Sequence, residues 1–189
     1  GQVAKTFINK IKLENFKINL STTSRNKTSE KNIYGISYKD YFFKDESYDD
    51  DLIQKVINAD HVLVSIPPNN GTDIVIKNFS KTLQECKAKS ITYLSATSVY
   101  GDHGGEWVNE KSETKPTSNS GLSRLAAERA WLLMADVKKI PLQIFRLSGI
   151  YSNDNNVLSR LKLGNIRLID KKNHFFSRIH VEDISNILF

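Results

Sequence analysis

The sequence lacks the features that define several common protein classes. A single cysteine, Cys86, among 189 residues excludes an internal disulfide framework and indicates a reducing compartment, so we expect a cytoplasmic protein. No apolar run approaches the roughly 20 residues that a membrane-spanning helix needs, and we expect no membrane partner. The remaining composition, 39% hydrophobic and 25% charged residues, is typical of a globular protein.

The sequence also lacks a concentrated basic segment, although the net charge is +6 and the pI about 9.3. Scattered surface lysines explain this balance more simply than binding of nucleic acid. Neither zinc-finger spacing nor an aromatic RNA-binding signature is present, so we expect no nucleic-acid partner. A phosphate-bearing small molecule is compatible with the charge.

Apolar residues recur alternately at helical and at strand-like spacings. Helical spacing covers residues 2–12, 52–57, 74–87 and 119–137, and strand-like segments cover 17–22, part of 33–43, 61–66, 91–95 and 141–147. This alternation predicts an α/β fold with a doubly wound parallel sheet. The near-continuous apolar run His61–Ile66 is typical of a strand buried on both faces. The acids at 49–51 suit a helix N-terminus, and a metal site formed by them is the less favoured alternative.

Small hydroxyl side chains follow the strand predicted at 91–95. In an open parallel sheet, ligands bind in the crevice beyond the carboxyl ends of the strands. Thr97 and Ser98 lie just past such an end, and they are therefore candidates for holding a reacting group.

A glycine directly precedes the first predicted helix. Free N–H groups and the helix dipole make such an N-terminus a binding site for a pyrophosphate. Gly1 to Ala4 matches the second half of the dinucleotide-binding pattern Gly-x-Gly-x-x-Ala. Gly1, Gln2 and Val3 are therefore candidate cofactor contacts, with an ordinary loop glycine as the alternative interpretation.

The turn after the predicted second strand carries no acidic residue between positions 21 and 29. An acid at this point of a dinucleotide fold holds the ribose 2′-OH of NAD, whereas an arginine accommodates the 2′-phosphate of NADP. Thr23, Ser24, Arg25 and Lys27 supply hydroxyls and positive charge instead. These residues favour NADP over NAD, and the alternative is a solvated basic turn.

Several motifs resemble the extended short-chain dehydrogenase/reductase family of sugar-nucleotide epimerases and dehydratases. The stretch 91–101 resembles its Ser/Thr-x-x-Val-Tyr-Gly segment. Further matches are Tyr100-Gly-Asp102, Glu110, Pro116, Glu128, Arg146–Tyr151 and Ile179–Asp183. The set as a whole is similar to a bacterial sugar-nucleotide epimerase-like group that lacks the Tyr-x-x-x-Lys motif.

The resemblance implies a Ser/Thr, a Tyr and a Lys as the catalytic groups, yet this sequence has Ala96, Ser120 and Arg124 at those positions. A serine hydroxyl is a far weaker acid than a phenol, and an arginine stays charged. The catalytic set is therefore degenerate. The candidate replacements, besides Ser120 and Arg124 themselves, are Thr97, Ser98, Tyr100, His103 and Tyr151.

The resemblance also implies further cofactor contacts and an architecture. Ser65, Ile66, Pro67 and Pro68 would flank the adenosine half of the dinucleotide, and Ser95 and Leu147 are further candidates. Residues 1–150 would form a Rossmann-like domain whose first strand lies upstream, and residues 151–189 would begin a small substrate lobe. The lobe would include segments 158–163 and 166–169, and we expect the chain to continue beyond both ends.

The implied function is that of an NAD(P)-dependent epimerase, dehydratase or reductase acting on a nucleotide-linked sugar. The degenerate catalytic set supports a second hypothesis, a non-catalytic NADP(H)-binding sensor or regulatory protein. By the same resemblance, we expect a homodimer that pairs through the helices at 74–87 and 119–137.

Overall fold

The structure is a computed structural model that describes residues 1–165 and 175–189, so the predicted segment 166–169 lies outside the described residues. The chain divides into two compact units. The first unit comprises Gly1–Asn19, Asn32–Ser37 and Ser148–Phe189, and the second comprises Leu20–Lys31 and Tyr38–Leu147. The domain boundary at residue 150 stays a prediction. No helix in the described ranges has the length and hydropathy that crossing a membrane requires.

Helices and strands alternate over most of the described chain. Their bounds are α1 (Gln2–Leu13), β1 (Ser21–Ser24), β2 (Ser29–Ile33), β3 (Ile36–Lys44), β4 (Ser47–Tyr48), α2 (Asp51–Ile57), β5 (His61–Val64), α3 (Ile74–Glu85), β6 (Ser90–Ala96), α4 (Asn119–Lys138), β7 (Leu142–Leu147), β8 (Gly149–Tyr151), α5 (Val157–Lys162), β9 (Arg178–His180) and α6 (Val181–Leu188).

The second unit contains a parallel sheet in the order β5-β6-β7. Ile91 and Tyr93 on β6 are fully buried, and the ring of Trp131 on α4 stacks on that of Tyr93 at a centroid distance of 5.6 Å. The indole Nε1 of Trp131 donates to Oδ2 of Asp73 over 3.0 Å, and Asp73 also caps α3 through the amide of Val75. The predicted α/β fold with a parallel sheet is confirmed.

The strand β5 is less buried than its apolar sequence predicts. Val64 is 4% exposed, but Leu63 is 37% exposed and His61 is exposed as well. Since β5 lies at the edge of its sheet, only part of the strand is covered. The prediction of burial on both faces is therefore wrong for Leu63.

The second sheet differs most from the prediction. The strand predicted at 17–22 is β1, Ser21–Ser24, and it pairs in parallel with β3, so that Thr22 lies opposite Asp40. The residues before it form no strand, and Ile18 is 41% exposed, so its β propensity did not decide the local structure. The single strand expected within 33–43 is β3, with β2 as an additional neighbour in the sheet.

The first unit is built around α1, which agrees with its predicted helical spacing. Ile8 and Ile11 of α1 and Ile184 of α6 are almost fully buried, and these two helices pack together. The short strands β8 and β9 form a separate parallel pair. The side-chain amide of Asn156 and Ser159 form a capping box that begins α5.

Candidate functional site

The carboxyl end of β6 continues into a tight 3-10 turn, Thr97–Val99. Ser95 is 3% exposed, Thr97 is half-buried, and the hydroxyl oxygens of Ser95 and Ser98 are both shielded from solvent. Neither hydroxyl has a hydrogen-bond partner within the part of the chain that the structure describes. We call these two hydroxyls, which lie where the carboxyl ends of the strands form one edge of the sheet, the β6 edge. They lie where an open parallel sheet binds its ligands.

A partly buried ion pair lies beside the β6 edge, because Arg146 on β7 is the register partner of Ser95. Glu128 on α4 is 1% exposed and accepts a hydrogen bond from Nη2 of Arg146 over 2.8 Å. The Nε of Arg146 adds contacts of 3.1 Å to both carboxylate oxygens. These hydrogen bonds raise the pKa of Arg146 above its ordinary value. Glu128 therefore holds a permanent positive charge at the end of β7.

The ring of Tyr100 packs against the guanidinium group of Arg146. Its ring centroid is 4.9 Å from the guanidinium carbon of Arg146, and the residue is 6% exposed. His103 bonds through Nε2 to the backbone oxygens of Tyr100 and Glu113 at 3.1 and 3.2 Å. These contacts hold His103 in the loop, and the low exposure of Tyr100 places that residue in the interior.

The loop after Tyr100 is closed by backbone pairing. Gly101 adopts a φ of +74° and bridges to Lys115, whose amide donates to the carbonyl oxygen of Tyr100 over 3.2 Å. A β-carbon at Gly101 would overlap the carbonyl oxygen of Lys115, so both the conformation and the space require glycine. This pairing draws the base of the long loop together next to the β6 edge.

The positions of the family's Tyr and Lys lie in the first turns of α4. Ser120 is exposed, whereas Arg124 is half-buried and donates from Nη1 to the carbonyl oxygen of Leu94 over 2.7 Å. A β-carbon at Gly121 would lie 2.5 Å from the carbonyl oxygen of Ser98. The structure thus brings the beginning of α4 directly against the turn of the β6 edge, a contact that the sequence analysis missed.

Tyr93 is the phenol that precedes the β6 edge on the same strand, but it does not substitute for the missing tyrosine. It is fully buried in the core, and this burial raises its pKa to about 12. A phenol that holds its proton so firmly exchanges protons poorly near neutral pH.

The basic turn predicted to contact a 2′-phosphate follows β1. Thr23, Arg25 and Lys27 are exposed, as that prediction requires. The hydroxyl of Ser24 instead donates over 2.7 Å to Asp40, a 3% exposed carboxylate on β3. Sequence reasoning missed Asp40, although an acid within an aromatic strand segment, Tyr38–Phe43, was a visible signal.

The remaining predicted cofactor residues lie in different elements. Ser65, Ile66, Pro67 and Pro68 directly follow β5, and Leu147 ends β7 opposite Ala96. Gly1, Gln2 and Val3 belong to the first unit, where Gly1 precedes α1 and a β-carbon on it would meet no atom within 4 Å. Tyr151 also belongs to the first unit, with its ring 5.0 Å from that of His180. The roles of these residues stay predictions.

No protein-family model and no curated protein matches the sequence. Among solved structures, a functionally unknown conserved protein from Silicibacter pomeroyi DSS is 31% identical with a TM-score of 0.78. The match covers 100% of this chain and 64% of that protein, so the chain spans less than two thirds of its length.

Two more distant structures have the same fold. UDP-N-acetylglucosamine 4-epimerase from Bacillus cereus is 19% identical with a TM-score of 0.69, over 98% of this chain and 67% of the epimerase. MoeE5, in complex with UDP-glucose and NAD, is 19% identical with a TM-score of 0.71, over 100% of this chain and 67% of MoeE5. The resemblance first indicated by the motifs is thereby confirmed at the level of the fold. The chain has the Rossmann-like α/β fold that these two proteins share.

Proposed function

We propose that the chain belongs to an NAD(P)-dependent protein of the epimerase/dehydratase type that acts on a nucleotide-linked sugar with an altered acid–base set. The observation that carries the proposal is the β6 edge, where two shielded hydroxyls without a described partner lie at the carboxyl end of the middle strand of a parallel sheet. Polar groups that are buried without partners are uncommon in native proteins and call for an explanation, such as a ligand. The similarity to MoeE5, a protein in complex with UDP-glucose and NAD, supports this ligand class.

The acid–base groups in this proposal come from the second unit. Thr97 and Ser98 would orient the reacting oxygen of the sugar, and Tyr100 is the phenol closest in sequence to them. Because Arg146 packs on its ring, Tyr100 lies next to a fixed positive charge, as the family's tyrosine lies next to lysine. Ser120 and Arg124 would contribute through hydrogen bonds to substrate or cofactor.

A second candidate function is a non-catalytic NADP(H)-binding sensor. It is favoured by the contact of Arg124 with the carbonyl oxygen of Leu94. This contact occupies Nη1 of the guanidinium with a structural hydrogen bond. The neighbouring Ser120 offers no phenol to share a proton with it. Such a protein would bind the dinucleotide and change a partner's activity without turning over a sugar.

One experiment separates the two functions. The full-length protein, supplied with NAD or NADPH, is incubated with a panel of UDP-linked sugars, and the products are separated by chromatography. We expect at least one sugar to be converted, and Tyr100→Phe to lower that rate about 100-fold or more. Binding of dinucleotide without conversion of any panel member would favour the sensor. No affinity for either dinucleotide would overturn both proposals.

The cofactor in this proposal is NADP, although the complexed neighbour contains NAD. Arg25 and Lys27 are exposed and carry the positive charge that a 2′-phosphate needs. In calorimetric titrations we expect Arg25→Ala to weaken NADPH binding about tenfold and NADH binding much less. Arg129→Ala, which removes an exposed arginine on α4, is the matched control. Equal weakening of both dinucleotides by Arg25→Ala would contradict the preference for NADP.

We also propose a homodimer that forms through α3 and α4. The outer surface of α4 exposes large apolar side chains, which an aqueous surface disfavours. These side chains are Leu122, Leu132, Leu133 and Val137. Light scattering of the full-length protein tests this assignment, and a monomer at micromolar concentration would contradict it.

A further inference from the structure

The basic turn 25–27 is held at its beginning by Ser24. The hydroxyl of Ser24 donates to Oδ2 of Asp40 over 2.7 Å and accepts the backbone amide of Asn26 over 3.2 Å. The first contact fixes the side chain of Ser24. The second joins Ser24 to Asn26 and so closes a turn that contains Arg25. The direction in which the chain carries Arg25 therefore depends on a hydrogen bond to a residue of another strand.

Both carboxylate oxygens of Asp40 accept hydrogen bonds from neighbouring side chains. We call these residues the Asp40 cluster: Thr22, Ser24, Lys31 and Asp40. Thr22 donates to Oδ1 over 2.6 Å, and the ammonium group of Lys31 pairs with Oδ2. Burial by itself would raise the pKa of Asp40, but hydrogen bonds from Lys31, Thr22 and Ser24 outweigh it and hold the pKa below its ordinary value. Asp40 is thus a charged carboxylate near pH 7, and Lys31 neutralises it.

The other end of the turn is held in a similar way. The hydroxyl of Thr28 donates to Oδ2 of Asp49, and the backbone amide of Phe42 donates to Thr28 and to Asp49 over 2.9 Å each. Each end of the turn therefore has a hydroxyl residue bonded to a carboxylate. A turn fixed at both ends loses less conformational entropy on binding a ligand than a free turn does.

We propose that Ser24 and Asp40 are positioning residues that hold Arg25 in place for a phosphate monoester on the cofactor's ribose. The inference rests on the proposed function, since it takes the 2′-phosphate of NADP as the ligand of Arg25. In it, Ser24 does not contact the phosphate, because its hydroxyl donates to Asp40. The negative charge of Asp40 does not repel the ligand either, because Lys31 compensates it.

Two hydroxyl deletions in the same cluster test the inference. Ser24→Ala and Thr22→Val each remove one hydrogen bond to Asp40, but only Ser24 also bonds the turn. The readout is the ratio of the dissociation constants for NADH and NADPH, measured by calorimetry on the full-length protein. We expect Ser24→Ala to lower this ratio about fivefold and Thr22→Val to leave it within about twofold. Ser24→Thr keeps the hydroxyl and should restore most of the ratio.

Asp40→Asn completes a double-mutant cycle with Ser24→Ala. If the two residues act as one unit, the double variant should lower the ratio no further than Ser24→Ala does. The affinity for NADH serves as an internal measure of folding, because it does not depend on the 2′-phosphate. Additive effects, or equal effects of Ser24→Ala and Thr22→Val, would overturn the positioning role. A wild-type protein without preference for NADPH would instead overturn the proposed cofactor, and the inference with it.

Discussion

The Asp40 cluster and the β6 edge use the same kinds of side chain in opposite ways. In the Asp40 cluster, the hydroxyls of Thr22 and Ser24 both donate to one buried carboxylate. At the β6 edge, the hydroxyls of Ser95 and Ser98 are shielded, yet neither has a partner among residues 1–165 and 175–189.

This difference distinguishes hydroxyl groups that stabilise the structure from hydroxyl groups that are available to a ligand. A buried polar group with partners stabilises the structure around it, whereas one without partners costs free energy unless a ligand supplies them. We therefore assign positioning to the Asp40 cluster and ligand contact to the β6 edge. The following predictions can break or sharpen that distinction.

The largest effect is expected at the ion pair beside the β6 edge. Glu128→Ala would leave the half-buried charge of Arg146 without its partner. Breaking a fully buried pair costs about 3–5 kcal/mol of unfolding free energy, and the 21% exposure of Arg146 makes this an upper bound here. Urea denaturation measures this loss. Asp136→Ala removes an exposed partner of Lys139 and should cost less than about 1 kcal/mol. Similar losses in the two variants would mean that the pair does not hold the β6 edge.

A smaller loss is expected where α4 meets the β6 edge. A methyl group at Gly121 would lie 2.5 Å from the carbonyl oxygen of Ser98, so Gly121→Ala must displace the helix or the turn. Such overpacking costs about 1–3 kcal/mol. Asn119→Ala, an exposed position in the same helical turn, should change the unfolding free energy by less than about 0.5 kcal/mol. An unchanged stability for Gly121→Ala would contradict the close packing.

The comparison itself is tested by two equivalent deletions. Ser24→Ala breaks a hydrogen bond to a charged carboxylate and should destabilise the protein by about 1–2 kcal/mol. Ser95→Ala removes a hydroxyl without a described partner and should be neutral within about 0.5 kcal/mol, or stabilising. Chemical denaturation of both variants, without dinucleotide, gives the answer. A greater loss for Ser95→Ala would reverse the roles assigned to the two regions.

The last effect is absent near neutral pH and appears only at alkaline pH. Burial raises the pKa of Tyr93 to about 12, whereas a phenol in an unfolded chain titrates near 10. The unfolded state therefore loses this proton first, so the stability from Tyr93 is complete below about pH 10 and declines as the pH rises toward 12. Tyr93→Phe should show a shallower decline between these pH values in urea denaturation. Parallel pH profiles would contradict the burial of this phenol.

Much of the fold was predictable because local signals and tertiary packing agree. The apolar run at 91–95 became β6, and the helical pattern at 119–137 became α4, which begins after the Ser118 cap. The strand β1 was placed too early because Ile18 has high strand propensity, whereas the pairing with β3 selects Ser21–Ser24. A pairing partner distant in the sequence decides such a register, and local propensity does not contain that information.

The candidate site was predictable in its elements but not in its contacts. The hydroxyls after β6 and the basic turn after β1 follow from the rule that ligands bind beyond the ends of parallel strands. The bond between Arg124 and Leu94, and that between Ser24 and Asp40, join residues 30 and 16 positions apart. Which donor faces which acceptor depends on the packing of α4 and β3, and no spacing rule specifies it.

The two tryptophans of the second unit have opposite surroundings, and this gives the protein a built-in optical probe. Trp107 is fully exposed, whereas Trp131 is fully buried and bonded to Asp73. In a Trp107→Phe variant of this chain, the indole of Trp131 would emit at the short wavelengths typical of a dry interior. A shift of that emission to longer wavelengths would report the opening of this core directly, without any attached label.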